Sequence, residues 1–283
     1  MIPANAAQSL AVSAFRRLHE SGCFVIPNPW DVGSAVYLQH LGFKALATSS
    51  AGFAFTRGLP DTLDAISRDT MLAHAREVVA ATSIPVNADF QAGFSDEPEG
   101  VAENVKLCVA TGIAGLSIED ATGDPAAPLY ERSRAIERIR AARQAIDSTG
   151  VPVVLTARCE AWLVGHPDAA RVAVDRLVAF ADAGAECLFA PGVRDPDFIY
   201  EIVRAVAPKP VNVLVSKPSP ELTLSRLTDL GVRRVSVGSA LARVAWGAFM
   251  RAAQNIAETG SFDALEEAAT FADLNAVFGE PRP

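Results

Sequence analysis

Residues 85–120 read PVNADFQAGFSDEPEGVAENVKLCVATGIAGLSIED, and this stretch decides the fold. PVNADF (85–90) is a short apolar run of strand length, and GLSIED (115–120) is another. Between them, PEGVAENVKLCVATG (98–112) has the length and spacing of a helix, opens on a proline and closes at a glycine. These are the usual boundary residues of a helix. Two strands joined by a helical crossover pair in parallel, because a tight hairpin can join only antiparallel strands. Both runs are nearly continuously apolar until their last residues, as strands covered on both faces should be.

The same unit repeats on either side. Further strand-like runs are FVIPN (24–28), ALATSS (45–50), PVVLTARC (152–159), CLFAPG (187–192), VNVLVS (211–216) and RRVSVGS (233–239). Helical patterns fill the gaps: DVGSAVYLQHLG (31–42), TMLAHAREVVAAT (70–82), SRAIERIRAARQAID (133–147), DAARVAVDRLVAFADAG (168–184), DPDFIYEIVRAVA (195–207), PELTLSRLTDLG (220–231) and ALARVAWGAFMRAAQNIAETG (240–260). Eight strand–helix units predict a single (β/α)8 TIM barrel of the α/β class over residues 1–283, a length that suits a fold of about 250 residues. The alternative is an open doubly wound sheet, whose G-x-G-x-x-G after the first strand is absent. DALEEAATFADLNAVFG (263–279) lies beyond the eighth unit, with an apolar stripe of Phe271, Leu274, Val277 and Phe278. It predicts an extra C-terminal helix, an extension over about 262–279, packed on a neighbouring molecule rather than on its own barrel.

Charge narrows the partners. The formal net charge is −8 and no Lys/Arg block occurs, which speaks against a nucleic-acid binder. Arg138, Arg140 and Arg143 are interleaved with Ala and Ile at helical spacing and read as a solvated face. No apolar run approaches the roughly 18 residues of a membrane span, and MIPANAAQSLAVSAFRRLHE (1–20) lacks the pattern of a secretory signal. Cys23, Cys108, Cys159 and Cys187 show no CxxC or metal-ligand spacing, so they are expected as reduced thiols of a cytoplasmic protein.

Barrel enzymes carry their chemistry at the C-terminal ends of the strands. Here the second strand ends in Thr48-Ser49-Ser50, the third in Asn87, Asp89 and Gln91, and the fourth in Glu119-Asp120. The fifth ends in Arg158 with Glu160 beyond, and the seventh carries Asn212 and ends near Ser216 and Lys217. Buried carboxylates are costly unless compensated. A shared divalent cation is one solution, and a few oxygen ligands completed by water suit Mg2+. The other is that Asp89 and Glu119 cap the following helices or pair with Arg158. The Arg158 fork suits a carboxylate or phosphonate, and the N–H groups of Ser49, Ser50 and Ala51 could cradle an anion. Trp30 and Asp31 open a helix, where they either line the pocket or, for Asp31, serve as its N-cap. His166 reads as a surface residue, and His19, His40 and His74 fall on helices away from the catalytic face.

Taken in order, NPWDVGSA (28–35), ATSSAGFAFTRGLPD (47–61), PVNADFQAGFSD (85–96), GIAGLSIEDATGD (112–124), VVLTARCEAWLVG (153–165), PVNVLV (210–215) and GVRRVSVGSALARVAWGA (231–248) resemble the isocitrate lyase / phosphoenolpyruvate mutase superfamily along nearly the whole chain. The resemblance implies a barrel whose last helix is exchanged between subunits, in dimers that pair into tetramers. It implies Mg2+, with Mn2+ as the alternative, held mainly by Asp89, with Gln91, Glu119 and Asp61 acting through waters. It makes Arg158, Glu119 and Asp61 the expected catalytic residues. Ser49, Ser50, Ala51, Asn212 and Trp30, with Arg158, become the expected contacts of a small anionic 2-oxo acid.

Three departures shape the expected chemistry. Gln91 stands where the family often has a second acid, which removes a negative charge from the metal site. The loop ATGDPAAPLYERS (121–133) lacks the K-x-C-G-H signature of the lyase branch, which argues against isocitrate and methylisocitrate lyase activity. FAPGV (189–193) lacks a family histidine. The favoured expectation is C–C cleavage of a small 2-oxo acid through a metal-stabilised enolate, with Tyr130 or a metal-bound water giving the proton. The alternatives are P–C cleavage, as in phosphonopyruvate hydrolase or phosphoenolpyruvate phosphonomutase, and a non-catalytic barrel that binds 2-oxo acids.

Overall fold

The computed structural model describes residues 6–279. Its eight strands are β1 (Phe24–Ile26), β2 (Leu46–Ala47), β3 (Val86–Asp89), β4 (Gly115–Glu119), β5 (Val154–Arg158), β6 (Cys187–Phe189), β7 (Val211–Leu214) and β8 (Arg234–Ser236). All pair in parallel in the order β1-β8-β7-β6-β5-β4-β3-β2. The first and last strands of the chain are therefore neighbours, with Phe24 opposite Arg234. An open sheet has no such pairing. The remaining seam, between β1 and β2, is bridged by the Ala47 N–H donating to the Pro27 carbonyl at 3.0 Å. The observed strands are shorter than the apolar runs because the ladder stops where each chain turns outward at the rim.

The helices are α1 (Ala6–Glu20), α2 (Val32–His40), α3 (Ser50–Thr56), α4 (Arg68–Ala81), α5 (Pro98–Val109), α6 (Arg132–Thr149), α7 (Ala169–Asp182), α8 (Pro196–Val206), α9 (Leu224–Asp229), α10 (Ala240–Thr259) and α11 (Phe271–Phe278). Asp31 is the N-cap of α2: its carboxylate accepts the Ser34 N–H at 2.7 Å, and Ser34 Oγ accepts the Asp31 N–H at 3.1 Å. Two helices go beyond the sequence reading. α3 occupies what reads as a small-residue turn. α1 closes the N-terminal end of the barrel, where fully buried Phe15 meets Phe24 edge-on. A side chain on Gly115 would lie 2.6 Å from the Phe15 ring, so this floor admits only glycine at the start of β4.

The C-terminal stretch is not one helix. A short 3-10 turn (Asp263–Glu267) precedes α11, whose N-cap Thr270 accepts the Asp273 N–H at 3.1 Å. α11 lies against α2 of its own chain, with the Phe278 ring beside Gly33. Its stripe is only partly used, since Phe271 stays 88% exposed, and Phe249 and Met250 on α10 are also exposed. No helix among the described residues is long and apolar enough to cross a membrane. All four cysteines are free thiols.

Candidate active site

Inward-facing positions of a (β/α)8 barrel usually carry Val, Ile and Leu in packed layers. Here they carry Asn87 and Asp89 on β3, Ser117 and Glu119 on β4, Arg158 on β5, Asn212 on β7, and Arg234 and Ser236 on β8. These short or polar side chains leave a cavity of about 860 Å³, with the strand C-termini at its mouth. Ser49, Ser50, Ala51, Asp61, Asp89, Gln91, Glu119, Arg158 and Asn212 all line it. Trp30, expected among the substrate contacts, does not. Its Cβ lies close to Gly52 on α3, 3.1 Å from where a side chain there would begin.

Arg158 is the centre of the rim. Its Nη1 lies 2.9 Å from Asp89 Oδ1 and 3.0 Å from Glu119 Oε2, and its Nε donates to Glu160 Oε1 at 3.0 Å. Burial opposes the guanidinium's charge, but Glu119, Glu160 and Asp89 outweigh it and hold Arg158 more firmly protonated than usual. Burial also drives the Glu119 carboxyl well above the usual carboxylate range, against the pull of Arg158. Asp61, at the exposed mouth, is raised by partial burial and by Asp89. Asp120 points elsewhere: it accepts the Glu160 N–H at 2.8 Å and pairs with Arg176 at 2.9 Å, so it orients the end of β5 from behind.

The turn after β2 fastens the other side of Asp89. Ser50 donates to Asp89 Oδ2 from its N–H at 3.0 Å and from its hydroxyl at 2.9 Å. Thr48 Oγ1 accepts the Asp89 N–H at 2.9 Å. Ser50 thus serves the carboxylate directly, while Ser49 caps α3 through the Gly52 N–H at 3.1 Å. Of the two expected solutions for Asp89, the structure shows the pairing with Arg158, and the carboxylate also lines the cavity.

Gln91 sits in a sharp turn after β3 with φ 47°, followed by Gly93 at 77° and Phe94 at 57°. Positive φ at two bulky residues is strain that the surroundings must impose. Arg138 imposes it: from α6 its guanidinium donates to the carbonyls of Ala92, Ser95 and Asp96. The solvated-face reading of Arg138 is therefore corrected. It is 1% exposed, on the α6 face that also buries Ala135 and Ala142, and that helical spacing turns it inward. Arg140 is exposed, and Arg143 pairs with Glu186 and Asp147.

The 121–133 segment folds over the mouth as a small hairpin, with Ala121 bridged to Leu129. Thr122, Gly123 and Pro125 line the cavity. Tyr130 does not: its hydroxyl donates to Asp96 at 2.5 Å, and its ring lies 3.9 Å from the Arg138 guanidinium carbon. That geometry ties the phenol to Asp96 and Arg138, outside the cavity lining. His74 is buried against Phe53, and His166 accepts the Asp168 N–H, both outside the cavity lining.

The donor set at the rim is rich in oxygen, the kind a hard divalent cation takes. Asp89, Glu119 and Glu160 bring three carboxyl groups to the Arg158 guanidinium, and Asp61 lines the same cavity. The buried Gln91 Oε1 has no hydrogen-bond partner. Such an orphaned acceptor calls for a donor, a water or a cation. Among the described residues, no group of three or more His, Cys, Asp or Glu side chains stands placed to hold a metal ion by itself.

Sequence reasoning passed over the cavity floor. Arg234 lines it, with Thr156 and His19 in contact. The available signal is the period-two alternation of RRVSVGS, which turns Arg234, Ser236 and Gly238 to one side and Arg233 to the other.

The fold and rim define a barrel with polar chemistry gathered at its strand ends. The chain belongs to the phosphoenolpyruvate phosphomutase family within the isocitrate lyase / phosphoenolpyruvate mutase superfamily of lyases and mutases, and residues 15–257 match that family. A crystal structure of a Burkholderia cenocepacia J2315 protein, provisionally described as a lyase/mutase, superposes with a TM-score of 0.93 at 47% identity, over 98% of this chain and 99% of that one. Oxaloacetate acetylhydrolase in complex with its product oxalate superposes with a TM-score of 0.84 at 25% identity, over 96% and 94%. An uncharacterized protein of Mycobacterium tuberculosis is 35% identical over 93% of this chain and 95% of its own length. 2-Methylisocitrate lyase of Escherichia coli is 31% identical over 71% and 69%.

Proposed function

We propose that this protein is a divalent-metal-dependent lyase that cleaves a C–C bond of a small 2-oxo acid or related carboxylate. The observation that carries the reading is the rim: Arg158 flanked by Asp89, Glu119 and Glu160 at 2.9–3.0 Å, with Asp61 at the mouth of the same cavity. The relatives named for oxaloacetate acetylhydrolase and 2-methylisocitrate lyase activities act on small carboxylic acids of this kind. The 121–133 loop still argues against methylisocitrate itself, since it carries no Cys, His or Lys.

Asp89 would hold Mg2+, or Mn2+, with Gln91, Glu119 and Asp61 reaching it through water. An ion held there would supply positive charge to offset the negative charge that grows on an oxygen as the bond breaks. Arg158 offers its remaining Nη2 donors to the substrate carboxylate, and Glu160 and Glu119 fix the plane of that fork. Ser49 and Ala51 line the same cavity. The hairpin at 121–133 screens the mouth from water.

Supplying Mg2+ and a panel of oxaloacetate-like and phosphonopyruvate-like acids tests this. Pyruvate or oxalate without inorganic phosphate is the expected outcome. Phosphate release would assign P–C cleavage instead, and binding without product would leave a non-catalytic barrel. Asp89→Ala is expected to abolish Mg2+ binding by titration calorimetry, and an unchanged affinity would overturn the metal assignment.

The same reading includes a homo-oligomer, a dimer of dimers built through the C-terminal helices. Exposed Phe249 and Met250 on α10 and Phe271 on α11 support it, since apolar side chains clustered on a chain's end favour a partner surface. Analytical ultracentrifugation should find a species larger than one chain, reduced by Phe271→Asp combined with Phe249→Asp.

A further inference from the structure

Arg234 stands at the opposite end of the cavity from Arg158 and is 3% exposed. Its Nε donates to Asn212 Oδ1 at 2.9 Å and its Nη2 to Thr156 Oγ1 at 3.1 Å. Its Nη1 lies 3.3 Å from His19 Nε2. His19 Nδ1 lies 2.8 Å from the Phe15 carbonyl, which fixes the N–H on that nitrogen and leaves Nε2 as an acceptor. Asn212 is held in turn, since its Nδ2 donates to Ser236 Oγ at 2.9 Å. Every partner is neutral, and among the described residues no carboxylate pairs with Arg234.

A buried charge without a counter-charge is strongly unfavourable. Lysine or histidine in such a place would shed its proton, but a guanidinium cannot. The compensation must come from an anion. Three of the five N–H groups of Arg234 face Asn212, Thr156 and His19, which leaves one on each terminal nitrogen. The cavity above supplies the route from solvent.

We propose that the barrel floor is a second anion site, in which Arg234 binds a compact monoanionic group, a halide or a single carboxylate. Asn212, Thr156 and His19 hold the guanidinium in orientation without neutralising it. The anion comes from one of two sources: free halide from solvent, or the far carboxylate of a dicarboxylic substrate. The second source rests on the function proposed above, whereas the site itself does not.

Crystals grown in sodium bromide, measured at the bromine edge, test the site directly. An anomalous peak within hydrogen-bond reach of the Arg234 guanidinium is expected. In parallel, thermal melts in bromide and in gluconate at equal ionic strength should show a saturable rise of about 3 °C in bromide. Arg234→Met should lose that rise, while Asp89→Ala at the rim should keep it. Oxalate added to the bromide crystals separates the sources: displacement of the peak assigns a carboxylate to the floor, and persistence assigns a halide. No peak at Arg234 in the wild-type protein overturns the proposal, as does an equal bromide response in Arg234→Met. Should Arg234→Met fail to fold, the wild-type diffraction measurement still decides.

Discussion

The two ends of the cavity each bury an arginine and surround it differently. At the rim, Arg158 meets three carboxyl groups within 3.0 Å, and Asp61 adds a fourth at the mouth. At the floor, Arg234 meets an amide, a hydroxyl and an imidazole. The rim has negative charge to spare and can relieve it by taking up a cation or a proton. The floor has positive charge that no proton loss can relieve. One cavity is thus polarised along the barrel axis, with a place for a cation near the mouth and a place for an anion at depth. Residue type alone does not set an arginine's role; the charge balance of its immediate shell does.

The largest test of this contrast is Arg158→Ala. It leaves three carboxyl groups without their guanidinium, and breaking a buried ion pair from one side is worth about 3–5 kcal/mol. Denaturant melts without divalent metal should show a loss of that order, partly recovered by Mg2+. Turnover should fall about a hundredfold or more. A melt unchanged from wild type would mean that the rim is not organised by charge.

A smaller effect belongs to the floor. Burial, and then Arg234, push the His19 imidazole down to about 3, from an ordinary value of 6.5. The unfolded chain therefore binds a proton that the folded chain refuses. Stability from this group is intact above pH 6.5 and is lost as the pH falls toward 3, at most about 1.4 kcal/mol per pH unit. His19→Gln should flatten the acid limb of a stability–pH curve, and an unchanged slope would show that the imidazole titrates freely.

Gln91→Glu sharpens the rim further by restoring the acid that the family often carries. Mg2+ affinity should rise about tenfold, or about 1.4 kcal/mol, read by calorimetry. Least affected should be Tyr130→Phe, which removes one hydrogen bond, to Asp96, worth about 1 kcal/mol of stability. Turnover should stay within about twofold of wild type. A larger fall would return the phenol to the chemistry.

Much of the site was legible because strand ends are legible. Asp89, Glu119 and Arg158 each follow an apolar run, and the barrel brings such ends to one rim whatever the loop details. Trp30 is outside the cavity lining, and spacing could not settle that, because a residue at a helix start can face either way. Arg138 misled because a charge among alanines looks solvated until its helical face is known to pack on the loop after β3. α1 and α3 escaped notice: residues 1–20 are read only against a secretory signal, whose pattern they lack, and α3 reads as a turn of small residues.

The sequence by itself determined the eight-fold alternation, the parallel strands and which residues end them, because periodicity and punctuation are local properties. Charge compensation was decided only by tertiary structure. Arg158 and Glu119 are 39 positions apart and Arg234 and His19 are 215 apart, yet closure of the barrel sets each pair in contact. Electrostatic energy depends on distance and burial in three dimensions, and neither can be read from spacing along the chain.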